Sequence, residues 1–151
     1  MKLTPDERAK CSAEAMWADD HASKWFGMRI DEISEGRAVL SMKVEQQHCN
    51  GHDICHGGVT FSLADSAFAF ACNSRNQRTV AQHNLISFLA PGHLGDRLTA
   101  VAEERSLNGR SGIYDVTVIN QDGRIIAEFR GMSRAIKGQL FVEPEATGEM
   151  K

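Results

Sequence analysis

The sequence predicts an α+β domain in which one long buried helix faces an antiparallel sheet of about five strands. Three observations lead there. Between residues 58 and 73 apolar side chains fall on nearly every side, Val59, Phe61, Leu63 and Phe68 among them, and a helix apolar all round is a buried one. Four strand-like segments follow, over roughly residues 79–90, 97–107, 111–120 and 124–136. The turns between them are well marked and no helix intervenes, which predicts an antiparallel meander.

Taken in order, Thr4-Pro5-Asp6-Glu7 is a helix start: Thr4 can cap, Pro5 suits the first helical position, and acidic residues favour the first turn. This helix is expected to run to about His21, with Trp17 anchoring its apolar side. Trp25, Phe26 and Gly27 lead out of it. Residues 38–44 alternate, with Ala38, Leu40, Met42 and Val44 on one face, as a half-buried strand does. Residues 46–56 lack periodicity and read as a loop. The buried helix ends in the polar turn Asn73-Ser74-Arg75-Asn76. Pro91-Gly92-His93 leads into Gly95-Asp96, Asn108-Gly109 is the strongest hairpin signal, and Asn120-Gln121-Asp122-Gly123 is a second. Residues 1–142 are read as a single domain with an N-terminal helix, and residues 143–151 as a polar tail.

Composition narrows the function. Seventeen Lys+Arg against twenty Asp+Glu give a net charge of -3, which argues against broad nucleic-acid binding. No stretch approaches the roughly 20 apolar residues of a membrane span, and the charged start lacks the apolar core of a secretory signal. Four Cys in 151 residues do not make a disulfide scaffold. The expectation is a cytoplasmic protein with reduced thiols, acting on a small molecule rather than on nucleic acid or membrane.

The chemistry is concentrated in residues 48–58, His48-Cys49-Asn50-Gly51-His52-Asp53-Ile54-Cys55-His56-Gly57-Gly58, just before the buried helix. One reading is an active-site loop feeding a helix N-terminus. Gly57 and Gly58 let a ligand approach the backbone closely. The unpaired first amides of the helix would stabilise a carbonyl oxygen gaining negative charge. Asp65, inside the apolar helix, is a carboxylate whose pKa burial should raise, which suits a proton acceptor. A second reading is a metal site of His48, Cys49, His52, Cys55 and His56, although the spacing matches no standard zinc pattern. A third is structural, with His56 capping the helix and Asp65 an inert buried acid. No phosphate-loop or nucleophile-elbow pattern occurs. Phe68 and Phe88 are candidate walls of a pocket, although core packing is the more expected role.

Geometry constrains the first reading. Asp65 lies eight residues beyond Gly57, a rise of about 12 Å along one helix. Both groups can reach one reaction centre only if Asp65 comes from a second, antiparallel helix. A single sheet also leaves the back of so apolar a helix uncovered, and large exposed patches are rare in monomers. A dimer with two shared sites is therefore expected, each combining Asn50, His56 and Gly57 from one chain with Asp65 from the other.

The loop Asn50-Gly51-x-x-x-x-His56-Gly57-Gly58 followed by Asp65 resembles the hotdog-fold acyl-CoA thioesterases, and within them the phenylacetate-pathway (PaaI) group. So do Ala71-Cys72-Asn73-Ser74, Ile86-Ser87-Phe88-Leu89-Ala90-Pro91-Gly92 and Gly112-Ile113-Tyr114-Asp115-Val116. The resemblance covers roughly residues 16–140. It implies a long central helix wrapped by a five- to six-stranded antiparallel sheet, and hydrolysis of phenylacetyl-CoA or ring-hydroxylated phenylacetyl-CoA to the free acid and coenzyme A. Asp65 would be general base or nucleophile. The Gly57 amide would polarise the thioester carbonyl, Asn50 would orient water or the acyl end, and His56 would support the loop. Substrate contacts are expected at Gly58, at Leu89, Ala90, Pro91 and Gly92, and at Arg110, Ser111 and Gly112. Arg110, Arg134 and Lys137 are candidates for the coenzyme A phosphates. No metal or separate cofactor is implied, coenzyme A being part of the substrate, and a homotetramer built from two dimers is expected. Related proteins on this fold hydrate or dehydrate acyl thioesters, or bind acyl-CoA without turnover, and these remain the alternatives.

Overall fold

In the computed structural model, which describes residues 2–145, Thr4 opens the first helix. Its side chain accepts from the Glu7 N–H at 3.2 Å, and Glu7 accepts from the Thr4 N–H at 2.9 Å, a reciprocal capping box with Pro5 at the first helical position. This helix, α1 (Pro5–Ala18), stops short of the expected His21. Asp20 accepts from the Ser23 N–H at 2.9 Å and so starts a separate helix, α2 (His21–Trp25).

Strands β1 (Arg29–Ser34) and β2 (Arg37–Lys43) form a hairpin. The sequence pattern does not announce β1, because a register shift between Ile30 and Glu32 breaks the alternation. After a 3-10 turn (Gln46–His48) and the loop, α3 runs over Gly57–Cys72. It is followed by β3 (Thr79–Phe88), β4 (Arg97–Asn108), β5 (Ser111–Ile119) and β6 (Ile125–Ala135).

All six strands join one antiparallel sheet in the order β1-β2-β4-β5-β6-β3. The expected meander holds for β4-β5-β6 and is corrected at β3, which pairs with β6 at the far edge while β4 lies beside β2. The connection between β3 and β4 is no hairpin. The Leu89 and Ala90 N–H groups donate to the Ile126 carbonyl at 2.8 and 3.2 Å, and the Gly92 carbonyl accepts from Cys55 at 2.8 Å. Those bonds carry the chain away from β3 and across the sheet.

The sheet wraps α3, which lies chiefly over β2, β4 and β5. Leu63 and Phe68 of α3 are fully buried with Leu40, Met42, Tyr114 and Val116 of the strands. Gly131 of β6 makes room for this: a Cβ there would stand 2.7 Å from the Phe68 ring. The back of α3 is partly covered within the chain. Trp17 of α1 packs against Phe70 at a ring separation of 6.2 Å, and Ser23 of α2 meets Ser66 at 3.0 Å. The start of the predicted tail is also held, since Glu143 pairs with Arg8 at 2.8 Å and accepts from Asn76 at 3.2 Å. Residues 146–151 of that tail lie outside the described residues. Among the described residues, no helix is long and apolar enough to cross a membrane.

Candidate active site

The loop before α3 is built from its own polar atoms. The Asn50 N–H donates to the Ile54 carbonyl at 2.9 Å, and the Asn50 side-chain oxygen accepts from the His52 N–H at 3.1 Å. Asp53 takes the left-handed conformation, φ 55°, that closes the turn. Bridges of Cys49 with Cys55 and of Ile54 with His93 seat the loop against the connection that follows β3.

His56 is the cap of α3. Its Nδ1 accepts from the Gly58 N–H at 2.9 Å, which leaves the ring proton on Nε2. A Cβ on Gly58 would lie 3.0 Å from that Nδ1, so the absent side chain is what lets the imidazole fold over the helix end. Gly57 follows as the first helical residue. Among the described residues its N–H has no acceptor, as expected for the first turn of a helix.

Gly57 is one of the residues lining a cleft of about 400 Å³, with Asn50, Ile54, Cys55, Thr60, Ile126 and the stretch Phe88, Leu89, Ala90, Pro91 and Gly92. Six residues singled out from the sequence thus meet in one place: Asn50, Gly57, Leu89, Ala90, Pro91 and Gly92. Phe88 belongs with them, 54% exposed and with its ring tip 3.1 Å from where a Gly57 Cβ would stand. Phe68 is core instead.

Asp65 stands apart from this cleft, two turns along α3 and half-buried. Asn84 of β3 donates to its Oδ1 at 2.9 Å. Burial pushes the carboxyl above the ordinary aspartate range, and the Asn84 hydrogen bond opposes the rise. The sequence offers no local signal for Asn84, whose partner is reached only through the packing of β3 on α3. Burial also pushes the Cys72 thiol up to about 12 and raises that of Cys55, so neither offers an activated nucleophile.

The remaining candidates lie elsewhere. Arg110 lines a second cleft, of about 540 Å³, with Lys137, Gln77 and Gly138 at the Thr79 end of β3. Ser111 accepts from Arg134 at 3.3 Å, and Gly112 is a packing position whose Cβ would meet the Ser133 hydroxyl at 2.7 Å. The metal reading finds no geometry: among the described residues no three His, Cys, Asp or Glu side chains converge on a metal position. His48 and His56 both turn Nδ1 to backbone N–H groups.

A half-buried carboxyl can serve as a base and a free helix-end amide as an oxyanion donor, two groups that suit hydrolysis of an activated ester. Residues 52–127 match the thioesterase superfamily model. The chain is 46% identical to acyl-coenzyme A thioesterase PaaI of Escherichia coli K12 over 132 residues, 87% of this chain and 94% of that protein. The chain belongs to this superfamily. The structure of the E. coli PaaI protein, from the phenylacetic acid degradation operon, superposes with a TM-score of 0.89 at 44% identity, covering 90% of this chain and 99% of that one. A hypothetical thioesterase from Streptococcus pneumoniae TIGR4, solved with coenzyme A, superposes at 0.70 with 27% identity over 74% of this chain and 90% of its own. The helix wrapped by six antiparallel strands is thus the hotdog fold of a thioesterase.

Proposed function

We propose that this chain hydrolyses the thioester of an arylacetyl-CoA, phenylacetyl-CoA or a ring-hydroxylated form, to the free acid and coenzyme A. The observation that carries the reading is that Gly57, first residue of α3 and without an acceptor for its N–H among the described residues, lines a cleft together with the exposed Phe88. The thioester carbonyl accepts from that amide, and the aryl group lies against Phe88. The Asp65 carboxylate takes a proton from water as the water oxygen bonds to the carbonyl carbon. The tetrahedral intermediate then expels the coenzyme A thiolate, which takes the proton back. The similarity to the E. coli thioesterase supports the choice of substrate.

The reading requires two copies. Asn84 lies beside Asp65 and Phe88 beside Gly57 on the helix-facing side of β3, equally far from Ile86 in the strand. β3 is an edge strand with Leu85 62% and Phe88 54% exposed, an edge that asks for a partner. Two β3 strands paired antiparallel about Ile86 set Asn84 opposite Phe88 of the second copy. Asp65 then faces Gly57 of that copy. At the Thr79 end of β3 the cleft with Arg110 and Lys137 offers two cations to the coenzyme A phosphates. Assembly of two such dimers into a tetramer is proposed on the family resemblance.

Thiol release from a panel of acyl-CoA esters tests this: phenylacetyl, 3- and 4-hydroxyphenylacetyl, benzoyl, short and long aliphatic. Fastest turnover is expected on the arylacetyl esters, and none with Asp65→Ala. Absence of thiol release from every ester would overturn the reading. A change in enoyl absorbance instead would make the chain a hydratase.

A further inference from the structure

Asn84 sits on β3 with its two polar atoms in very different circumstances. Nδ2 donates to Asp65 Oδ1 at 2.9 Å, while Oδ1 is buried with no donor, one of only two such side-chain atoms among the described residues. A buried acceptor left unpaired weakens the fold, and an apolar side chain of the same size would serve this face of the strand better. The carboxamide's one interaction is with Asp65. Turned over, it would set its oxygen against the carboxylate, so the donor orientation is enforced.

We propose that Asn84 is a positioning residue for thioester hydrolysis: by holding Oδ1 of Asp65 it turns Oδ2 toward the attacking water and favours the ionised carboxylate that can accept a proton. The inference rests on the proposed role of Asp65. The geometry supplies a fixed donor on a rigid strand, aimed at one of two equivalent oxygens. A hydrogen bond to the charged form of an acid also opposes the effect of burial. Within one chain few other titratable groups face this carboxyl, and in the proposed dimer His56 of the second copy joins them, the same in wild type and in every Asn84 variant. From α3 itself comes the Cys72 thiol, uncharged until about pH 12. Asp20, the cap of α2, is held by the Ser23 hydroxyl, which in turn meets Ser66, the neighbour of Asp65 in sequence. On β3, His83 neighbours Asn84 in sequence and so points to the opposite face of the strand. Among the described residues none of these forms an ion pair with Asp65. The acid limb of the pH profile should therefore report Asn84 directly.

The test uses the full chain, as wild type, Asp65→Ala, Asn84→Leu and Asn84→Asp, with thiol release from phenylacetyl-CoA followed across pH and thermal melting in parallel. Asn84→Leu is expected to melt at or above the wild-type temperature. Its kcat at neutral pH should fall at least about tenfold with KM changed less than about twofold, the signature of lost orientation rather than lost binding. Its acid limb should move to higher pH, so that part of the rate returns in base. Asn84→Asp removes the donor and adds a second carboxyl beside the first, so its limb should move further still. Profiles that superpose on wild type, or a loss that is uniform across pH and accompanied by a lower melting temperature, would overturn the proposal. Failure of the underlying reading looks different: wild type releases no thiol, or Asp65→Ala releases it as fast as wild type.

Discussion

Burial holds the Asp65 carboxyl above its ordinary value, so the folded chain binds that proton more tightly than the unfolded chain. The associated stability is full below the unfolded value of 3.8 and is lost as pH rises through the raised folded value. Above that raised value the fold carries an ionised, half-buried acid at a cost. Asp65→Asn should remove that cost: its melting temperature should exceed wild type near neutral pH, and the difference should vanish near about pH 4, while thiol release falls by roughly 10²–10⁴-fold. Melts of both proteins at the two pH values check this, since shifts from Glu104 and Asp115 cancel in the difference. Gly57 allows a second substitution that isolates one atom group. It is the first residue of α3, and His56 before it has ψ 134°, both compatible with proline. Gly57→Pro deletes the N–H and should lower kcat/KM by about 10²–10³-fold. Gly57→Ala adds a Cβ against the mobile tip of Phe88 but keeps the donor, and comparing the two separates lost polarisation from crowding. The residues of this site were legible in the sequence where local chemistry marks them, at Asn50, His56, Gly57 and Asp65. Phe88 was legible only as one of two candidate pocket walls, with Phe68, and Asn84 not at all, because an Asn or a Phe in a strand pattern acquires its meaning from the helix packed over it.

Among the elements, those with local signals were legible: the capping box of α1, the apolar α3, and the turns that bound β4, β5 and β6. The bulge hid β1, and Asp20 capped a new helix where continuation was expected. The position of β3 was not legible at all, since nothing within its residues says which strand it pairs with; that is settled by β6 and by the bonds of the connection after it. Gly131 is the element-scale consequence of the fold, a missing side chain on β6 that admits Phe68 of α3. A Cβ would stand 2.7–2.8 Å from three ring atoms of a side chain only 1% exposed, leaving the ring nowhere to go. Gly131→Ala should destabilise by about 1–3 kcal/mol in urea unfolding, as overpacked cores do. Phe68→Leu in the same chain should cost less than it does alone, a coupling that a double-mutant cycle measures.

At the scale of the whole molecule, α3 holds a donor at one end and a carboxyl about 12 Å along it, too far apart for one reaction centre. The proposed twofold axis near Ile86 would pair each group with its counterpart from the other copy, and that proposal predicts complementation. Asp65→Ala chains retain the Gly57 donor, and Gly57→Pro chains retain the carboxylate. Each is expected to be inactive as a homodimer. Co-expressed in equal amounts with different tags, half the dimers are mixed. Every mixed dimer contains one site with both groups intact and one with neither. Recovered turnover should approach about a quarter of wild type for the mixture, and rise toward about half as mixed dimers are enriched over unmixed ones. A site confined to one chain predicts no recovery at any ratio, because neither chain then holds both groups. The same preparation locates the axis. Ile86→Lys sets like charges face to face at the centre of the proposed strand pair, and should yield monomers with no thiol release. The equivalent charge at Ile125, an exposed residue of β6, should leave the dimer and its activity in place.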